Sequence, residues 1–203
     1  MGPMNEFTLH RLWPDKCNGR AANFCDRGRL RWDVKDSLKQ TDIYSDIKNY
    51  WPSYNPTPQQ PDNNLFWSKQ WNKHGTCVST LDPRCGYEGD QDLYAYFNTA
   101  LALRKDYDIY KSLKKAGISP RPRFGVDPSE EDEYSVDDIL AAIKDEWHVK
   151  GAVYCEEGKP LEISLSFKVK NKGTYELTDA IPNPEYDCHK RKVVYREKQR
   201  RRA

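Results

Sequence analysis

The stretch FWSKQWNKHGTC, from Phe66 to Cys77, is the most informative part of this 203-residue sequence. Tryptophan, lysine, histidine and cysteine around one glycine make poor hydrophobic-core material, and they suit binding of an anion and chemistry on it. A second histidine, His10, lies upstream in the segment FTLHRLWPD, Phe7 to Asp15. Two histidines are what phosphoryl transfer to an internal hydroxyl needs, so we expect both segments to contribute to one active site.

Imidazole groups suit cleavage of RNA without a metal ion. One group must take the proton of the ribose 2′-hydroxyl and another must protonate the departing 5′-oxygen, and imidazole can do either near neutral pH. Negative charge accumulates on the non-bridging phosphate oxygens in the transition state, where a cation or hydrogen-bond donor stabilises it. Lys69, Gln70 and Lys73, next to His74, are the candidates for that role.

The two segments resemble the paired active-site signatures of the T2 ribonuclease family, which are close to F-T-[IL]-H-G-L-W-P-D and F-W-x-[HK]-E-W-x-K-H-G-T-C. Each signature is about ten residues long with few variable positions, so the joint match is specific. The resemblance extends, weakly between the signatures, to about Cys188, and the cysteine placement resembles fungal members most. It implies an α+β fold with an antiparallel β-sheet core and several packed α-helices.

The resemblance also implies an activity and catalytic roles. The expected reaction is cleavage of single-stranded RNA to 2′,3′-cyclic phosphate ends, with His74 as general base and His10 as general acid. Lys73 matches the lysine that stabilises the pentacoordinate phosphate, and Lys69 matches a phosphate-binding position. With an acid that must be protonated and a base that must be neutral, the pH profile should be bell-shaped with a mildly acidic optimum.

Three further positions match residues that hold RNA bases. Trp13 and Phe66 supply aromatic rings for stacking, and Asp15 supplies a carboxylate for a base edge.

The sequence departs from the family patterns in three places. Gln70 stands where the family has Glu; an amide can donate a hydrogen bond to phosphate but cannot carry a proton, so we expect a slower enzyme. Arg11 stands where the family has Gly, and a positive φ there would cost on the order of 1 kcal/mol and displace His10. Only MGPMNE precedes Phe7, so a family strand and part of one base site are expected to be missing.

Six cysteines allow fifteen complete pairings. The resemblance implies a Cys25–Cys77 disulfide and a Cys155–Cys188 disulfide. By the same mapping, the partners of Cys17 and Cys85 belong to the missing segment, which leaves these two residues free or paired with each other.

The length and the hydrophobic content of 37% fit one domain, predicted over residues 1–188. Apolar spacing is roughly helical from Trp32 to Trp51, and helices are also predicted around Tyr96 and Leu113 and from Ser135 to Trp147. Leu161 to Val169 alternates apolar and polar residues, which indicates a half-buried antiparallel strand. Its expected neighbours are residues 151–156 and 174–181.

Charge is unevenly distributed. The whole chain carries +2, and residues 189–203 carry eight Lys or Arg against one Glu, which leaves the rest at −5. We expect this basic segment to be a disordered tail; salt-sensitive phosphate binding and a nuclear-import-like patch are the alternatives.

No stretch approaches the roughly 20 apolar residues of a membrane span, and no signal peptide is visible. Cysteines at family spacing nevertheless imply an oxidising compartment, so we expect a secreted, extracellular or vacuolar protein, with a cytosolic protein holding reduced thiols as the alternative. By resemblance we expect a monomer.

Two functional hypotheses remain open. The first is an endoribonuclease of reduced activity with RNA as its partner. The second is a catalytically silent relative that binds RNA or a protein, which Arg11 and Gln70 would favour. The sequence has no C-x-x-C or H-x-x-x-H spacing for zinc and no G-x-S-x-G, so neither a metal, a cofactor nor a serine hydrolase is expected.

Overall fold

A computed structural model describes residues 2–16, 20–53, 63–81, 86–121, 133–154, 161–170, 173–181, 188 and 191–198. Backbone contacts divide the chain into two compact units, Met1–Tyr107 and Asp108–Ala203. The combination of helices with small antiparallel sheets confirms the predicted α+β class. Within the described ranges, no helix is both long enough and apolar enough to cross a bilayer.

The described part of unit 1 is helical. Its α-helices are α1 (Val34–Leu38), α2 (Tyr44–Tyr50), α3 (Asn64–Lys73) and α4 (Gln91–Asp106), and its 3-10 turns are Arg27–Arg29, Gly75–Cys77 and Ser79–Leu81. The helical pattern over Trp32 to Trp51 therefore corresponds to two helices. The first ends where the Thr41 hydroxyl and backbone N–H both donate to the Leu38 carbonyl, at 2.7 and 2.9 Å, which closes a turn.

Large aromatic side chains fill the core of unit 1. The fully buried ones are Trp51, Trp67, Trp71, Tyr96 and Phe97. A buried indole must still satisfy its N–H. Each of the three does so on a backbone carbonyl: Trp67 on Trp51 at 2.8 Å, Trp71 on Arg29 at 2.7 Å and Trp51 on His10 at 3.0 Å. These bonds fix the indoles in orientation as well as in depth.

Among its described residues, unit 2 contains two α-helices and three two-stranded antiparallel sheets. The helices are α5 (Ile109–Lys115) and α6 (Val136–Trp147), and the strands are β1 (Glu133–Ser135), β2 (Ala152–Tyr154), β3 (Glu162–Ser164), β4 (Ser166–Lys170), β5 (Thr174–Thr178) and β6 (Lys192–Val194). The pairs are β1 with β6, β2 with β3 and β4 with β5. The alternating stretch is thus two strands separated at Leu165, and both predicted neighbours are correct.

The two ends of α6 and the strand β6 bear on the predictions. Ser135 caps α6 by accepting from the Asp137 N–H at 3.1 Å, and His148 ends the helix in the left-handed conformation. Within the segment 189–203, predicted to be a basic, disordered tail, Lys192–Val194 forms β6, which pairs with β1, and Val193 is buried.

Candidate active site

The segment that carries His10 is fixed through its backbone. The Leu9 N–H donates to the Tyr50 carbonyl at 2.7 Å, and the Trp51 indole N–H donates to the His10 carbonyl at 3.0 Å. The Tyr96 hydroxyl donates to the Leu12 carbonyl at 2.9 Å. The end of α2 and the middle of α4 therefore hold this extended segment, while the His10 side chain stays exposed.

Helix α3 and its C-cap carry the second group of candidates. Gln70 and His74 are four residues apart and both buried, whereas Lys69, also four residues from Lys73, is exposed. His74 caps the helix, and its backbone N–H donates to the Gln70 carbonyl at 3.0 Å. The helix thus presents a buried imidazole and amide together with half-buried and exposed ammonium groups.

Trp13 and His74 bring the two segments together. The Trp13 indole N–H donates to His74 Nε2 at 2.9 Å, and the ring centroids are 5.6 Å apart. An imidazole nitrogen that accepts a hydrogen bond carries no proton, so the His74 ring is neutral and protonated on Nδ1. His74 is only 4% exposed.

Burial and neighbouring charges lower the proton affinity of His74. Its pKa falls from 6.5 to about 3, first because burial penalises the charged form and then because Lys73, Arg11 and His10 repel a further cation. These three residues therefore lie within electrostatic reach of His74. The arrangement supplies a neutral base at the edge of a cationic cluster, as required by a site that accepts a phosphate.

Arg11 does not show the backbone strain that a non-glycine residue could have caused. The described non-glycine residues with positive φ are Phe24 and His148, so the expected displacement of His10 on this ground does not arise. The Arg11 side chain lies over the Trp13 ring, with Cζ 3.5 Å from the centroid. Sequence reasoning treated Arg11 only as a departure from a pattern and missed this contact, for which the sequence carries no signal.

Gln70 has an unusual environment for a buried amide. The residue is 7% exposed, and its Oε1 has no hydrogen-bond partner among the described residues. Buried polar atoms are nearly always paired, so an exception calls for a functional or structural explanation. A donor from a bound molecule would satisfy this oxygen.

The other three candidates are Phe66, Asp15 and Lys69. Phe66 is half-buried and packs against the core of unit 1, and within the described ranges no hydrogen bond or ring contact joins it to Trp13. Asp15 forms an isolated bridge with Ala21, and desolvation raises the pKa of its carboxyl. Lys69 is on the exposed side of α3.

A disulfide holds the end of the second segment. The predicted Cys25–Cys77 bond is present with a Cα–Cα distance of 4.9 Å, and the neighbouring Phe24 N–H donates to the Lys73 carbonyl at 3.0 Å. Cys188 is also disulfide-bonded. Its predicted partner Cys155, like Cys17 and Cys85, lies outside the described residues.

Comparison with known proteins identifies the family. The model of the Ribonuclease T2 family matches residues 1–180. The chain belongs to the Ribonuclease T2 family. It is 38% identical to ribonuclease Rh of Rhizopus niveus over 186 residues, which is 89% of this chain and 72% of that protein. It is 35% identical to ribonuclease T2 of Aspergillus oryzae over 191 residues, covering 90% and 65% respectively.

Solved structures of this family share the fold. The T2 ribonuclease Actibind superposes with a TM-score of 0.78 at 30% identity, covering 97% of this chain and 81% of Actibind. RNase NT, solved in complex with 5′-AMP, gives a TM-score of 0.67 at 27% identity, with coverage of 95% and 83%. Membership of the T2 ribonuclease family supports endoribonuclease activity, and single-stranded RNA is the substrate on which this family acts.

Proposed function

We propose that this chain is a metal-independent endoribonuclease that cleaves single-stranded RNA by transphosphorylation. His74 Nε2 takes the proton of the 2′-hydroxyl, and the 2′-oxygen forms a bond to phosphorus. The bond from phosphorus to the 5′-oxygen breaks, and His10 donates a proton to that oxygen. The products are a 2′,3′-cyclic phosphate end and a 5′-hydroxyl end, and no oxidant or metal enters the balance.

The state of His74 is the observation that carries this proposal. A general base must be neutral and hold an unprotonated nitrogen. His74 Nε2 is unprotonated, since it accepts a hydrogen bond from Trp13, and the pKa of the ring is about 3; the Trp13 N–H must leave this nitrogen before the 2′-hydroxyl donates to it. A second histidine, His10, acts electrostatically on His74 together with Lys73 and Arg11. Base and acid are thus held near one another and near groups that attract phosphate.

The remaining residues have supporting roles in the proposal. Lys73 stabilises the charge on the pentacoordinate phosphate, Gln70 donates an amide hydrogen bond to it, and Lys69 binds a neighbouring phosphate. Trp13 and Phe66 stack against bases, and Asp15 accepts from a base edge.

The low pKa of His74 supports a rate below that of an enzyme with Glu at the position of Gln70, because the Gln70 amide supplies no negative charge to raise that pKa. An imidazole with a pKa of about 3 is a weak base, because proton transfer to it is poorly driven near neutral pH. A bound phosphate anion next to His74 raises that pKa and so improves the base. Catalysis should therefore depend strongly on occupancy of the phosphate position.

A second candidate function is RNA binding without cleavage. Two observations support it. The Trp13 indole N–H occupies His74 Nε2, the nitrogen that must take the proton, and Gln70 stands where a carboxylate is expected. The disulfides at Cys25–Cys77 and Cys188 support either function in a secreted or vacuolar protein. We further propose that the protein acts as a monomer without a cofactor.

Cleavage of a single-stranded RNA oligonucleotide in EDTA, with product ends identified by mass, tests the proposal. His10→Ala and His74→Ala should each lower the rate by roughly 10²–10⁴-fold. His148→Asn is the matched control, since this helix-capping histidine lies in unit 2 and Asn tolerates its left-handed conformation. Gln70→Glu should be faster than the parent.

The outcomes separate the two candidates. Parent cleavage to cyclic phosphate ends that depends on both His10 and His74 supports the ribonuclease. Folded parent protein that binds the oligonucleotide without cleaving it supports the silent binder. Cleavage retained by His74→Ala would contradict the assignment of the base.

A further inference from the structure

Arg11 occupies a surface that the proposed function gives to RNA. The Cζ atom of its guanidinium lies 3.5 Å from the centroid of the Trp13 ring, within the space that a stacked base would occupy. Trp13 is 40% exposed, and its N–H edge is held by His74. A base that stacks on the covered face must therefore displace the Arg11 side chain.

A displaced Arg11 side chain can bind the phosphate instead. The charge of Arg11 acts on His74 together with Lys73 and His10, the residues to which the proposed function assigns the scissile phosphate. A guanidinium binds phosphate through paired N–H donors, and these bonds are stronger than neutral hydrogen bonds.

We propose that Arg11 shares the Trp13 subsite with the RNA base: it lies on the ring in the structure, and it binds the adjacent phosphate once a base has taken that place. This inference rests on the proposed function for the identity of the base and phosphate positions. Arg11 then sets how strongly the subsite discriminates between a nucleoside and a nucleotide. An uncharged nucleoside must compete with Arg11, whereas a nucleotide gains a new phosphate contact when it displaces Arg11.

Two simple ligands separate these effects, adenosine as an uncharged base and inorganic phosphate as the anion. Arg11→Ala opens the ring face, so adenosine should bind about two- to fivefold more tightly, the range of an exposed cation–π contact. The same variant should bind inorganic phosphate several-fold more weakly. Arg11→Gln removes the charge but keeps a planar group over the ring, so it should lose phosphate affinity and gain less for adenosine.

The measurement is isothermal titration calorimetry, with the Trp13 indole N–H followed by NMR to place adenosine at this ring. Arg27→Gln is the control, because Arg27 is an exposed arginine of the same unit on the 3-10 turn Arg27–Arg29. It should bind both ligands like the parent. In cleavage assays Arg11→Ala should also reduce the slope of log(kcat/KM) against log[salt] by about 0.7, as loss of one phosphate contact to a single strand requires.

The opposite signs of the two affinity changes make the proposal testable. Adenosine that binds Arg11→Ala no more tightly than the parent would overturn the shared subsite. Phosphate affinity unchanged in both Arg11 variants would overturn the phosphate contact. The binding experiments need no turnover. If the parent does not cleave RNA and the Arg11 variants still show both affinity changes, the proposed reaction is contradicted and the role of Arg11 is supported.

Discussion

At the scale of single residues, the protonation state of His74 determines how activity depends on pH. A base with a pKa of about 3 is unprotonated throughout the mildly acidic range. We therefore expect the acidic limb of kcat/KM to fall near pH 3 rather than near the ordinary histidine pKa of 6.5. Trp13→Phe removes the donor that favours the neutral ring, so it should shift this limb upward.

Rates measured from pH 2.5 to pH 7 and an NMR titration of the His74 ring check this prediction. The two experiments should give the same pKa for the parent and the same upward shift for Trp13→Phe. A parent limb near pH 6.5 would show that another group, or a solvated His74, acts as the base.

Gly75 follows His74 and is required by the packing of the helix end. A Cβ built on Gly75 would lie 2.3 Å from Trp71 Cε3 and 2.8 Å from Cζ3, and the buried indole cannot withdraw. We expect Gly75→Ala to lower the free energy of unfolding by about 1–3 kcal/mol. Gly28→Ala is the control, since its closest neighbour is the flexible Asp26 carboxylate at 3.3 Å. Urea unfolding of both variants distinguishes steric crowding from a general cost of losing glycine.

At the scale of elements, a buried arginine ties α4 to the turns that follow α3. Arg29 donates to the Asp92 carboxylate at 2.9 Å and to the carbonyls of Thr76 and Leu81 at 3.3 and 2.9 Å. Arg29→Met leaves a buried carboxylate without its counter-charge, which should cost about 3–5 kcal/mol. Arg31→Met breaks the exposed pair with Asp90 and should cost less than about 1 kcal/mol. Equal costs in urea unfolding would contradict the importance of burial.

The sequence predicts those elements whose periodicity is carried by local residues. The apolar spacing around Tyr96 gives α4, and Ser135 marks the start of α6, because helix faces and caps are local properties. The division of the Trp32 to Trp51 stretch into α1 and α2 is set by a turn hydrogen bond that spacing does not encode. The strand at Lys192–Val194 depends on pairing with β1, which basic composition conceals.

The candidate site shows the same division. The signatures predict that His10, Lys73 and His74 belong together, because the pattern itself relates these positions. The bond from Trp13 to His74 Nε2 and the position of Arg11 on the indole depend on tertiary packing between distant segments, so no spacing rule predicts them.

At the scale of the whole molecule, the Cys25–Cys77 disulfide constrains the unfolded chain. It joins residues 52 positions apart, and the chain-entropy estimate for such a loop is about 4 kcal/mol. We expect the Cys25→Ala, Cys77→Ala double variant to lose about 2–4 kcal/mol of unfolding free energy. Substitution is preferable to a reductant, because a reductant would also act on the disulfide of Cys188. A loss below about 0.5 kcal/mol would mean that the unfolded chain is already compact at this loop.

The stability of the protein should itself fall in acid because of His74. The pKa of His74 is about 3 in the folded state and 6.5 in the unfolded chain, so between these values the unfolded state binds the additional proton. Acid therefore favours unfolding: the contribution is fully present above pH 6.5 and is lost as the pH falls towards 3. By pH 4 the loss should be roughly 3 kcal/mol. Urea unfolding of the parent and His74→Gln at pH 7, 5 and 4 isolates this effect, because the variant lacks the titrating group. The stability difference between the two proteins should shift towards the variant as the pH falls, and a pH-independent difference would show that the His74 ring takes up its proton without unfolding.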